Sequence, residues 1–194
     1  MSNAPKKIEG PIHMKLCLLG DGRVGKTSLR REFLGEGFVT EYKETLGADF
    51  AIHTQKYNDI TFRFQIWDLA GQERFDQLRT SFYFGAQAAL VLYDVSNQKS
   101  LNSVENWISE LWEHNGKNTV IPIVIIGNKI DLRDEIVKSL KPSAGQDMAK
   151  QMSNKANNIQ IPFLETSAKT GENVAKAFSL ITETFMTIHN FILE

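Results

Sequence analysis

The stretch Gly20-Asp21-Gly22-Arg23-Val24-Gly25-Lys26-Thr27 fits the pattern G-x-x-x-x-G-K-[ST] and follows directly on the apolar run Leu16 to Leu19. No other feature narrows the fold as far. Gly20 and Gly25 let the backbone turn with no Cβ in the way, so that consecutive N–H groups can point inward at an anion where the next helix begins. Lys26 adds a mobile cation for β- and γ-phosphates, and the Thr27 hydroxyl can ligate Mg²⁺. The segment therefore demands a strand, a tight anion-binding turn and a helix, in that order.

The rest of the chain repeats that alternation. Ala88 to Tyr93 and Ile121 to Ile126 are apolar runs of strand length, as expected of parallel strands buried on both faces. Ile60 to Trp67 alternates strictly and should pair with a strand around Phe50 to Lys56 through a turn at Asn58-Asp59. Helical spacing recurs at Leu101, Val104, Ile108, Leu111 and Trp112, and again at Val174, Ala177, Phe178, Ile181, Phe185 and Ile188. Ser143 with Gln146 resembles a capping box that would start a helix after Pro142. The pattern predicts an α/β fold: a mostly parallel sheet with one antiparallel edge strand and helices on both faces. Ligands of such sheets sit at the carboxyl ends of the strands, where the Gly20 to Thr27 turn falls.

Composition sets the limits. At 194 residues with 42% hydrophobic side chains, residues 11–194 suit a single domain, with Met1 to Gly10 expected to be a mobile tail. The 22 basic and 23 acidic residues leave a net charge of -1, which offers no electrostatic footprint for nucleic acid or an anionic membrane. One cysteine, Cys17, excludes an internal disulfide, suggests a reducing compartment, and is expected in the core. No apolar stretch is long enough to span a bilayer, so the expected localisation is cytoplasmic.

A phosphate-binding turn fits both ATP and GTP chemistry, so the base must be read elsewhere. Gly127-Asn128-Lys129-Ile130-Asp131 places a carboxylate at the end of a strand, where it can accept from guanine N1–H and the 2-amino group; adenine offers no such pair. Trp67-Asp68-Leu69-Ala70-Gly71-Gln72-Glu73 follows the alternating strand. Asp68 could hold Mg²⁺ through a water, the Gly71 N–H could reach a γ-phosphate, and Gln72 could orient an attacking water.

With these motifs in order, the chain resembles the Ras superfamily of small GTPases, and within it the Rab-like branch, from about Met14 to Ile188. The resemblance implies a P-loop NTPase fold with a six-stranded sheet and five helices. It implies that Gly22, Arg23, Val24, Gly25, Lys26, Thr27 and Ser28 hold the phosphates, and that Thr27, Thr45 and Asp68 serve Mg²⁺. Thr45 would lie in switch I and Gln72 in switch II, with Gln72, Lys26, Thr45 and Gly71 carrying hydrolysis. Phe38 would stack on the base and Tyr42 would close over the γ-phosphate. Asn128, Lys129 and Asp131 match the guanine motif; Ser167, Ala168 and Lys169 match the second base loop, whose alanine N–H reaches guanine O6. The implied activity is slow hydrolysis of GTP to GDP and phosphate, accelerated by an activating partner, in a monomeric switch of possible use in vesicle traffic. An exchange factor and effectors are implied as further partners, reached through the switches and through Phe50, Trp67 and Phe82, whose other reading is ordinary core packing. A guanine-nucleotide scaffold with little turnover is the alternative. Three features depart from the family. Leu69 stands where Rab relatives usually carry threonine, a change compatible with hydrolysis because the residue lies between functional positions. Arg23 stands where relatives commonly carry a small residue, either solvated or folded over the nucleotide. The chain stops at Asn190-Phe191-Ile192-Leu193-Glu194 with no prenylation cysteine, so the anchor either lies outside this chain or is not used.

Overall fold

A computed structural model describes residues 10–40, 45–71, 76–116, 121–133, 135, 138–157 and 159–189, with side chains 76–79 excepted. The expected tail, Met1 to Gly10, lies outside them except for Gly10. Six strands form one sheet: β1 (Ile12–Leu19), β2 (Ala48–Tyr57), β3 (Ile60–Leu69), β4 (Ala88–Asp94), β5 (Ile123–Asn128) and β6 (Phe163–Thr166). Their order is β2-β3-β1-β4-β5-β6. Among the described residues only β2 and β3 pair antiparallel, and the other pairings are parallel. The edge hairpin turns at Asn58-Asp59, with Tyr57 opposite Ile60 and Asn58 in the left-handed region at φ 51°.

The period-two rule explains how the sheet is covered. Met14, Leu16 and Leu18 of β1 face one core with Phe64, Ile66, Leu90 and Ile126, closed by α1 (Lys26–Phe33) and α6 (Val174–Ile188). Cys17 and Leu19 face the opposite core with Val91, Tyr93 and Ile125, closed by α4 (Val104–His114) and α5 (Pro142–Lys155). The two helical stripes read from spacing are therefore core faces: Ile108, Leu111, Phe178 and Ile181 are all fully buried. Cys17 is fully buried too, and desolvation pushes its thiol up to about 12. Such a thiol is inert near neutral pH.

Two local expectations change. The stripe beginning at Leu101 is split into α3 (Gln98–Asn102) and α4. The Ser103 hydroxyl, at the break, donates to the Lys99 carbonyl at 3.0 Å, a side-chain bond that competes with regular helix pairing. Together with α2 (Asp76–Tyr83), this makes six α-helical segments among the described residues where five helices were expected. The Ser143-Gln146 capping box does not form: α5 starts at Pro142 with Lys141 at the N-cap and no side-chain cap. Proline needs no partner for an N–H it lacks and brings the φ of a first helical position.

Candidate functional site

The carboxyl ends of β1, β3, β4 and β5 converge, and the phosphate loop leaves β1 at that edge. Two of its glycines, Gly20 and Gly25, are required by close approach. A Cβ on Gly20 would lie 2.2 Å from the Leu92 carbonyl oxygen, and one on Gly25, at φ 101°, 2.3 Å from Asn128 Nδ2. Gly71, just past β3, crosses the loop so tightly that a Cβ would lie 2.4 Å from the Gly20 oxygen. Val24 is buried, Gly22 and Arg23 are exposed, and Ser28 is half-buried on α1. Arg23 sits in the left-handed region at φ 69°, a cost an arginine bears and a glycine would not.

Lys26 is buried, and its Nζ donates to the carbonyls of Gly20 at 2.6 Å and Asp21 at 2.9 Å. The cation is thereby laid along the inside of the loop. Beside it, the Thr27 hydroxyl donates to Asp68 Oδ2 at 2.5 Å and lies 3.0 Å from the Thr45 hydroxyl. Asp68 is fully buried, and its other oxygen, Oδ1, has no hydrogen-bond partner. Burial raises this carboxyl above the usual range, while the Thr27 hydrogen bond, Lys26 and Arg30 pull it back and Asp49 pushes it up. Two hydroxyls and a carboxylate with an orphaned oxygen are hard donors that fit Mg²⁺, an ion that takes few protein ligands and keeps its waters. Among the described residues, no group of three or more His, Cys, Asp and Glu that could hold a metal occurs.

At the base end, Asn128 closes β5 and is used on every side. Its Nδ2 donates to the Val24 carbonyl at 2.9 Å, while its Oδ1 accepts from the Thr166 hydroxyl at 3.0 Å and the Ala168 N–H at 3.1 Å. The residue expected at the base thus braces the phosphate loop to the second base loop, and the N–H expected at guanine O6 has a protein partner. Lys129, at φ 70°, pairs through Nζ with Asp94 Oδ2 at 2.6 Å. Asp131 Oδ1 accepts from the buried Ser167 hydroxyl at 2.5 Å, and Lys169 Nζ stands 4.0 Å from its Oδ2. The carboxylate is held in orientation from the side of the second loop. Phe38 is exposed in the loop after α1. Tyr42 and Gln72 lie outside the described residues.

Sequence reasoning missed two supports. Asp94 ends β4, accepts from the Ser96 N–H and hydroxyl, and fixes Lys129; its Asp-x-Ser spacing after a strand was the available signal. Asp21 inside the loop accepts from Trp107 Nε1 on α4 at 2.7 Å, a pairing no local pattern announces. The rings of Phe50, Trp67 and Phe82 line up at centroid distances of 5.2 and 5.3 Å. Phe50 is 47% exposed and the other two are half-buried, so the row is neither plain core nor free surface.

A mixed sheet with a glycine-turned anion loop, a lysine inside that loop and a helix leaving it defines a P-loop nucleotide-binding α/β protein. The family model described as Ras family matches residues 15–187. The chain belongs to the Ras family of small GTPases. It is 42% identical over 164 residues to the Ras-related protein RIC1 of Oryza sativa subsp. japonica, covering 84% of this chain and 76% of that one. Over 175 residues it is 41% identical to the Ras-related protein Rab7 of Pisum sativum, covering 88% and 81%. Over 173 residues it is 38% identical to the human Ras-related protein Rab-8B, covering 89% and 78%.

Proposed function

We propose that this chain binds GTP and GDP with Mg²⁺, hydrolyses GTP to GDP and phosphate, and works as a nucleotide-dependent switch. The observation that carries the reading is the brace through Asn128. It locks a lysine-bearing anion loop to the loop that aims Asp131, so phosphate and base are recognised by one rigid unit. Asp131 accepts the two guanine donors, and adenine would leave those two contacts unmade, at a cost of about 1–3 kcal/mol or more for a charged group. Thr27, Thr45 and Asp68 would hold the metal, whose charge neutralises phosphate oxygens when bound. Lys26 and the Gly71 N–H stabilise charge on the γ-phosphate, and Gln72 orients the water that attacks in line. No protein nucleophile takes part.

Thr45 in switch I and Gln72 in switch II would be ordered by γ-phosphate and metal and released on hydrolysis. Phe50, Trp67 and Phe82 offer effectors a row of rings adjoining both switches, and the Rab-named relatives support a role in vesicle traffic. No described helix is long and apolar enough to cross a membrane. Displacement of a fluorescent GDP by unlabelled nucleotides tests the specificity. GTP and GDP should compete at least about 1,000-fold better than ATP, a difference of about 4 kcal/mol, and chelation of Mg²⁺ should speed release. Equal displacement by ATP would remove the guanine assignment.

A further inference from the structure

Arg30 is a buried guanidinium on α1 that neither phosphate recognition nor packing accounts for. Its side chain is 8% exposed, its Nη1 lies 2.7 Å from Asp49 Oδ2, and its Nε is buried without a partner. A methionine would fill the same space without burying a charge. Asp49 is 57% exposed and sits on β2 directly opposite Asp68 of β3. Like charges facing each other across antiparallel strands destabilise the pair, and Arg30 lies where it offsets both.

The spacing is informative. Thr27 and Arg30 stand three residues apart on α1, hence on one face. Their partners, Thr45 and Asp49, stand four residues apart across the start of β2, with Gly47 between them at φ 78°. Gly47 is itself tied to the end of β3, its carbonyl accepting from the Ala70 N–H at 2.8 Å. One helical face therefore grips the segment leading into β2 at two points, one a hydroxyl contact and one an ion pair. The hydroxyl contact involves groups that would rearrange around a metal. The ion pair does not.

The geometry points to Arg30 as a positioning residue: through Asp49 it pins the start of β2 to α1 and so presents Thr45 to Thr27. This rests on the reading that Thr27 and Thr45 serve the metal beside a γ-phosphate. Arg30–Asp49 is then the fixed pivot of switch I and Thr27–Thr45 its nucleotide-dependent contact. Loss of the pivot weakens the form that needs Thr45 in place and spares the form that does not.

Dissociation of a labelled non-hydrolysable GTP analogue and of labelled GDP, both in Mg²⁺, separates this role from a merely structural one. The analogue should leave Arg30→Met and Asp49→Asn about tenfold faster than wild type, equivalent to about 1.4 kcal/mol. The double variant should be no faster than either single one, since both remove one interaction. Arg30→Lys, which keeps the charge, should fall between, and GDP release should stay near the wild-type rate in all four. Equal acceleration of both nucleotides, unchanged analogue release, or additive effects in the double variant would overturn the pivot. A wild type that holds neither nucleotide would overturn the functional reading, and the pivot with it.

Discussion

Asn128→Ala should cost the protein its nucleotide and much of its stability together. The substitution strands the Val24 carbonyl, the Thr166 hydroxyl and the Ala168 N–H, all belonging to buried residues. At about 1–3 kcal/mol for each buried group left unpaired, with some relief by water in the space vacated, the loss should come to roughly 3–5 kcal/mol. For a domain of this size that is a fall of about 10 °C in Tm. GDP affinity should drop by at least about 100-fold, because the loop that cradles phosphate and the loop that aims Asp131 are no longer held in register. Thermal unfolding without added nucleotide, followed by GDP titration, reads both effects. Unchanged Tm with affinity within a few-fold of wild type would show that Asn128 braces nothing.

Lys26→Ala should leave the fold nearly intact and abolish tight binding, the opposite balance. The ammonium holds the Gly20 and Asp21 carbonyls at 2.6 and 2.9 Å, keeping the loop curled and its own charge inside the curl. Charge-assisted contacts of this kind are worth about 1.5–3 kcal/mol each, so the loss of those to β- and γ-phosphates should weaken GTP by about 1,000-fold. GDP, with one phosphate fewer, should lose less. Titrating both nucleotides against the variant checks the order as well as the size. Equal small losses would mean that the backbone N–H groups alone carry the phosphate.

Much of this was legible because periodicity is local. Cys17 and Leu19 separate from Leu16 and Leu18 by simple alternation, and the stripe from Val174 to Phe185 declares its buried face by spacing alone. The hairpin at Asn58-Asp59 was legible for the same reason. What failed or was missed depended on competition or distance. Ser143 looks like a cap only until Pro142, a better first helical residue, is weighed against it. The brace from Asn128 to Val24 joins residues 104 apart, and the Trp107–Asp21 bond residues 86 apart. No window along the chain contains either pair. Asn128 matches the guanine motif, and its bonds to Val24, Thr166 and Ala168 are contacts that the motif does not announce. Arg30 and Asp49, likewise, meet only because β2 packs beside α1, so the ion pair has no local signature in the sequence.

Single-turnover release of phosphate from protein preloaded with GTP, started by Mg²⁺, tests the central claim most directly. Wild type should release one phosphate per bound GTP, slowly but well above the spontaneous rate, and Gln72→Leu should release it far more slowly while binding GTP equally well. Release from wild type no faster than from free GTP would contradict hydrolysis and leave a guanine-nucleotide scaffold in its place.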